Sequence, residues 1–268
     1  PIAFLAILIV LPEALSAQMT SEANPLQPGT QKTPIYIGPV LGYNRSIHNA
    51  DLLTFQDDVR CPSFVNGTNN GFFAGISFEY LLGNPVNSTS SIIARVLYNT
   101  MPASFTQTGE PYPSLVDQGP GVPPEVVVSQ TEHTYDVSYS MITAEVMYKL
   151  NLINTFGITV GPTFDFPLQK SQEQLFKLLE PQNARFKKPE NPQYEYRDFD
   201  RTIVVKDGDI EEASSFRLGI KAGVQYEILM GRMYIVPGVF YNYGITKLTN
   251  EEWFVHAIQA GVDVRFSL

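Results

Sequence analysis

The chain has 268 residues, 17% charged and 12% aromatic, with 19 glycines, 20 prolines and one cysteine. A net charge of −9 excludes the basic footprint of nucleic-acid binding, and a single Cys61 excludes an internal disulfide framework. The mix of turn formers, aromatics and few charges suits an all-β protein with many turns.

The first element is "PIAFLAILIVLPEALSAQ". Its apolar run from Ile2 to Leu11 is too short to span a bilayer and fits the h-region of a secretory signal. Ser16 and Ala17 set the expected cleavage before Gln18, and the basic n-region is missing. Residues 1–17 are therefore read as a signal peptide, 18–33 as a flexible polar periplasmic leader, and 34–268 as one β domain.

From Ile35 onward, period two returns eight times, the mark of strands with two unlike faces. The stretches are 35–44, 72–82, 92–100, 135–150, 156–166, 215–228, 233–245 and 254–268. In "SFRLGIKAGVQYEI", the set Phe216, Leu218, Ile220, Ala222, Val224, Tyr226 opposes Arg217, Gly219, Lys221, Gly223, Gln225, Glu227. Within 135–150 the apolar phase slips at Met141–Ile142, where one extra residue predicts a β-bulge. Most stretches reach the ~9–11 residues that a tilted strand needs to cross a bilayer.

Connections alternate in length. Short turns are predicted at 83–90, 151–155 and 229–232, and long loops at 45–70, 102–133, 167–213 and 246–253. One end is trimmed and the other elaborated, as in outer-membrane barrels with short periplasmic turns and long extracellular loops. Inside the third long loop, Ser171 and Gln174 form a capping-box pattern that predicts a helix over 171–180, ended by Pro181. Asp207-Gly208 predicts a hairpin tip, and a hairpin over 194–214 leaves open eight strands or ten.

Periodicity does not say which face meets solvent. Ten glycines, among them Gly42, Gly223, Gly238 and Gly261, fall on the polar side, where a cramped lumen uses them and a solvated outer face does not. The apolar face is fringed near strand ends by Tyr43, Phe72, Tyr80, Tyr98, Tyr135, Tyr148, Phe156, Phe166, Tyr226 and Phe266, an aromatic girdle. The polar face carries Arg95, Lys149, Arg217, Lys221 and Arg265 against Glu79, Glu145, Asp165, Glu227 and Asp263. Equal numbers of each sign suit an enclosed lumen, because isolated buried charge is very unfavourable. The expected fold is an all-β, eight-stranded, antiparallel up-and-down transmembrane barrel, its lumen plugged by this charge network. Arg217→Ala is then expected to destabilise it and Thr246→Ala is not.

Gln259, Gly261, Val264 and Phe266 match the polar–x–Gly–x–x–hydrophobic–x–aromatic insertion signal of outer-membrane proteins, although Ser267 and Leu268 follow the aromatic residue. On these residues the chain resembles the small bacterial outer-membrane β-barrel families, the OmpA-like membrane domain and its relatives. "RCPSF" before a Gly-rich strand is similar to porin-family single-barrel proteins of the Bacteroidetes–Chlorobi type. The resemblance implies a Gram-negative source, outer-membrane location, outer-membrane lipid around the barrel and the barrel-assembly machinery as a partner during insertion. The likeness is to the membrane domain alone, so a peptidoglycan-binding function is not expected.

The expected role is a structural, cell-surface membrane anchor whose long loops meet a surface protein or polysaccharide. Two alternatives stand beside it: a narrow porin-like pore for small solutes, and a lipid-modifying enzyme using His256. Ile258, not serine, lies two residues from His256, and Ser214 and Ser215 belong to another strand end, so no catalytic residue is assigned. No cofactor or metal is expected. Asp207, Asp209, Glu211 and Glu212 offer oxygen ligands without an EF-hand pattern and read as a solvated charge run. Cys61 reads as a tucked loop cysteine.

Overall fold

In a computed structural model, residues 34–53, 63–84, 88–153, 155–190, 192–230 and 233–268 are described; the expectations for residues 1–33 and for Cys61 lie outside them. Among the described residues every regular element is a strand. They are β1 (Ile35–Leu53), β2 (Ser63–Leu81), β3 (Ser90–Thr100), β4 (Ala103–Val116), β5 (Glu125–Ile153), β6 (Phe156–Glu180), β7 (Ala184–Arg185), β8 (Glu195–Arg197), β9 (Thr202–Asp209), β10 (Arg217–Tyr226), β11 (Ile228–Met230), β12 (Met233–Gly244) and β13 (Phe254–Ser267).

All pairings are antiparallel and join one sheet. β1 pairs with β2, β2 with β3, β3 with β5 and β5 with β6. β6 then pairs with β10, β10 with β12, β12 with β13, and β13 with β1. The thirteen strands exceed the eight expected for two reasons. β4 continues β3 in unchanged register on β5, with Thr100 facing Ser140 and Ala103 facing Val137; Pro102, which has no N–H to donate, marks the break. β11 likewise resumes β10 against β12, with Gln225 facing Gly238 and Ile228 facing Ile235. The remaining additions, β7, β8 and β9, fall in the segment expected to be a long loop.

Those long loops are largely strand. β1 runs on to Leu53, β5 starts at Glu125, and β6 continues to Glu180. The predicted helix over 171–180 is therefore the distal part of β6. It is held between two strands, with Phe176 facing His133 of β5 and Ile203 of β9. The β5 ladder runs along this stretch to Glu180 and the β9 ladder from Ser171 to Lys177, so cross-strand bonds take the place of helical ones and tertiary pairing overrides the capping signal. The Asp207-Gly208 pair lies inside β9 opposite Glu173 and Gln172, and the hairpin turns at 198–201 instead.

Near the short-connection end, which we call proximal, each strand turns its apolar residues outward. Leu41, Ile76, Val96, Val146, Val160, Val224, Val239 and Ile258 are exposed, while Asn44, Ser77, Arg95, Glu145, Asp165, Gln225, Asn242 and Gln259 on the alternate parity are buried. Farther out, the same parities exchange character. On β5 the inward series Thr143, Glu145 and Lys149 is continued distally by Met141, Tyr139, Val137 and Tyr135, all buried. The outward series Val146 and Tyr148 is continued by exposed Ser138 and Asp136.

No residue is inserted in β5 at Met141–Ile142. The register does shift there, but Ser140 faces Gln169 and Met141 faces Pro167, so the unmatched residue is Leu168 on β6. The predicted bulge is thus a change in what each face touches. Tyr135, expected in an outward girdle, is interior for the same reason.

The distal sheet forms a lobe. β4 pairs with β5, β5 with β6, β6 with β9, and β9 with β8, while Leu115 and Val116 of β4 meet Arg185 and Ala184 of β7. It encloses its own core of Val116, Phe176, Leu178, Ala184, Phe186 and Ile203. The hairpin of β8 and β9 thus lies on the distal stretch Ser171–Lys177 of β6, whereas β10 pairs with Phe156–Asp165 of the same strand.

Candidate functional site: an ionic interior under an aromatic cap

The sequence singled out ten charged residues for the interior. Nine of them are buried, and Glu227 at the proximal end is partly exposed. β3 and β5 bring Arg95 to Glu145 at 3.6 Å, and Arg95 reaches Asp263 of β13 at 2.9 Å. Lys221 of β10 also binds Glu145. Arg265 joins Asp263 to Glu79, and Lys149 joins Glu79 to Glu227. Seven residues from five strands, with Glu227 between β10 and β11, are thereby one connected chain of alternating sign. Arg217 and Asp165 form a separate pair at 3.7 Å, and Thr143 donates to Asp165 at 2.7 Å.

Uncharged polar groups complete the set. Ser77 donates to Asp263 at 3.2 Å and Ser91 donates to Glu79. Gln259 donates to Asn44 at 2.6 Å, and Asn44 donates to Asn99. Buried carboxylates with cationic and hydroxyl partners avoid the penalty of isolated charge.

Two aromatic rings lie among the charges, and glycines make room for them. Gly42 and Gly261 face each other across β1 and β13, and a Cβ on either would collide with the ring of Phe73. Gly223 and Gly238 stand in the same relation to Phe240. The Lys221 ammonium sits 5.8 Å from the Phe73 centroid and 5.7 Å from that of Phe240, and the Arg95 guanidinium lies 5.0 Å from Phe240. Ring faces thus supply further attraction to the buried cations.

Above the charges sits a cap of packed apolar groups, including Phe64, Phe105, Tyr135, Tyr139, Met141 and Trp253. His48 is part of it. Its Nδ1 accepts the Trp253 indole N–H at 3.1 Å and its Nε2–H donates to the Met101 carbonyl at 3.0 Å. Burial pushes its pKa down to about 3. His133, stacked on Phe176 with centroids 4.3 Å apart, is pushed down by burial to about 4. Neither histidine stood out in the sequence, because both lie where loop was expected.

His256 is outward in parity yet covered. It stacks on Tyr243 at 4.7 Å, and its Nδ1 accepts the Gly244 N–H at 3.1 Å. Ser214 Oγ donates to the Lys247 carbonyl at 3.3 Å. Of the insertion-signal residues, Gln259 is buried, Gly261 and Val264 are partly exposed, and Phe266 is exposed on β13. Among the described residues no group of three His, Cys, Asp or Glu side chains is placed to hold a metal.

No family model and no curated relative matches the chain. Among solved structures it is similar to Ail, the attachment invasion locus protein of Yersinia pestis, crystallised with the heparin analogue sucrose octasulfate. Identity is 12% over 87% of this chain and 99% of that chain, with a TM-score of 0.34. It is similar to Neisserial surface protein A at 12% identity, over 88% and 98% of the two chains, with a TM-score of 0.35. The transport unit of the autotransporter AIDA-I from Escherichia coli follows at 11%, 96%, 97% and 0.25. All three are bacterial β-barrel proteins; at these scores none assigns this chain a family or an activity.

Proposed function

We propose that the chain is an eight-stranded transmembrane β-barrel of a bacterial outer membrane, acting as a non-enzymatic anchor for a folded surface lobe. The carrying observation is the exchange of faces along unbroken strands. Proximally the outside is apolar and the inside ionic; distally the outside is polar and the inside apolar. A strand has this composition when its proximal part lies in lipid and its distal part in water.

The pairing succession returns from β13 to β1 and from β6 to β5, which leaves the eight long strands without free edges in the belt and supports closure. Eight strands enclose room for side chains only. The salt-bridge chain and the aromatic cap fill that room in series, so the lumen is plugged and not conducting. The lobe of β4 to β9 then faces outward as the part that meets a surface protein or polysaccharide. A signal peptide over residues 1–17 provides export, and insertion uses the signal at Gln259, Gly261, Val264 and Phe266.

The test is reconstitution of purified protein into planar bilayers, with protease added to one side of sealed vesicles. The expected result is no steady conductance and cleavage confined to the lobe. Steady conductance would establish the pore instead. Deacylated product after incubation with lipid A would establish the enzyme.

A further inference from the structure

The outward series of β1 runs Ile35, Ile37, Pro39, Leu41 and Tyr43, and its next member is Arg45. From Ile35 to Arg45 the strand rises about 33 Å, or about 25 Å along the membrane normal at the ~40° tilt of such barrels. That matches the ~25 Å height of a barrel's apolar band. Arg45 therefore stands at the distal rim of the belt, just beyond the girdle residue Tyr43. Its cross-strand neighbours are Ile258 of β13 and Asn70 of β2.

The Arg45 side chain is exposed, and two neutral acceptors fix its fork. Nη1 donates to Asn70 Oδ1 at 2.8 Å and Nη2 donates to Thr68 Oγ1 at 2.7 Å. Among the described residues no carboxylate pairs with it. The partly exposed arginines of the distal lobe differ: Arg185 binds Asp117 and Arg197 binds Glu173 and Glu195. Arg45 is thus a full positive charge on the outer surface with its neutralising group missing from its own chain.

The hydrogen-bonding capacity left in this cluster has one sign. Tyr43 Oη also donates to Asn70 Oδ1, so that oxygen receives two donors. Turning the Asn70 amide would set its NH2 group against the guanidinium, which fixes the orientation. What remains is the Asn70 NH2, the Thr68 hydroxyl hydrogen and the unused guanidinium N–H groups, all of them donors. A planar guanidinium flanked by further donors suits an anion with several oxygens, above all a phosphate. Leu41, Tyr43 and Ile258, all exposed, supply an apolar surface directly below and beside it. A charged head over an apolar wall is the form of a lipid.

We propose that Arg45, with Asn70 and Thr68, binds the phosphate of a lipid headgroup at the distal rim of the belt. The acyl chains of that lipid run down past Tyr43 and Leu41. This inference rests on the reading of the belt as lying in lipid, and adds to it one lipid held at a defined place.

The experiment is native mass spectrometry of full-length protein in non-ionic detergent, titrated with phosphatidic acid or with diacylglycerol of the same chains. Insertion into vesicles is read on the same preparations. Wild type is expected to retain one phosphatidic acid saturably and to prefer it to diacylglycerol. Arg45→Gln is expected to weaken that retention by about tenfold or more while inserting normally. Arg45→Lys, which keeps the charge and loses the fork, should retain part of it. Lys247→Gln removes another exposed cation, one already paired with Glu252, and should leave retention unchanged. Equal retention of the two lipids overturns the headgroup site, and so does an equal loss in Arg45→Gln and Lys247→Gln, which would mean attraction without a site. Displacement of the lipid by millimolar inorganic phosphate assigns the cluster to a soluble anion and overturns the lipid as its ligand. Failure to insert counts against the membrane reading instead.

Discussion

His48 and Trp253 are locked donor to acceptor: the indole N–H points at Nδ1 from 3.1 Å, while Nε2–H is spent on the Met101 carbonyl. Indole can only donate and a carbonyl can only accept, so a single neutral tautomer fits. Protonation would set an N–H against an N–H inside the aromatic cap.

This fixes the pH response of the cap. The His48 pKa is lowered from 6.5 to about 3, mainly by burial, with Arg217 and His256 adding repulsion and the Met101 carbonyl opposing. Between these values the unfolded chain binds the extra proton, so stability rises with pH across that window and is flat above about 6.5. Acidification from 6.5 to 3 is expected to remove on the order of 4 kcal/mol locally. His133 adds the same sign between 6.5 and about 4. Trp253 is the only tryptophan, so its emission during acid titration reports the cap directly. His48→Phe should flatten most of the titration, although the unpaired indole N–H costs about 1–3 kcal/mol at neutral pH. A wild-type emission unchanged between pH 7 and 3 would contradict the locked tautomer.

Removing one cation from the interior strands its carboxylate. Arg217→Ala deprives Asp165 of its cation and the Val255 carbonyl of a 3.0 Å donor, at an expected cost of about 3–5 kcal/mol. Thr246 does not serve as the neutral control expected from the sequence, because its hydroxyl accepts the Leu218 N–H at 2.9 Å. Lys247 does, since its 3.6 Å contact with Glu252 is exposed, and Lys247→Ala should change stability by less than about 1 kcal/mol. Urea midpoints of the two variants in micelles decide the matter; equal midpoints would mean that the buried pair contributes nothing.

Glycine at the interior positions is required by ring volume. Gly261→Ala places a methyl group against the Phe73 ring and close to the Leu41 carbonyl, and is expected to cost about 1–3 kcal/mol. Phe73→Leu in the same chain should return part of that loss, because the ring is one of two groups in the way. A double-mutant cycle by urea melting measures the coupling; strictly additive effects would mean the ring is not the obstacle.

The proximal half of the molecule was legible in the sequence because one pattern governed it. Alternation gave eight stretches with the right parity, and the balanced charges on one parity marked the faces that lie inside. The distal half was misread at particular residues for a physical reason. Hydrophobic period two records which residues share a face, not the solvent that face meets, so a change of surroundings at Met141 looks the same as an inserted residue. In 171–180, Gln174, Phe176 and Leu178 are buried between flanking strands, but Leu175 and Leu179 are also apolar and blur the alternation into a helical stripe. The Asp207-Gly208 signal lost to cross-strand pairing with β6. Nothing local in "RDFDR" announces three consecutive left-handed residues, Asp198, Phe199 and Asp200, since that conformation depends on Phe186 and Leu178, which are distant in sequence.

The exchange of faces makes a position-specific prediction on a single strand. Val146 and Ser138 both lie on the outer face of β5 and both are exposed, yet they should tolerate charge very differently. Val146 sits in the apolar belt, and arginine there would meet acyl chains at an expected cost of about 2–4 kcal/mol near the bilayer midplane. Ser138 lies beyond Met141 on the polar stretch, where arginine should change stability by no more than about 0.5 kcal/mol. Val146→Arg is therefore expected to fold into lipid vesicles with a clear loss of stability and Ser138→Arg with almost none. In water, both side chains would be equally solvated and the two variants would behave alike. Indistinguishable folding free energies in vesicles would therefore count directly against the belt lying in lipid.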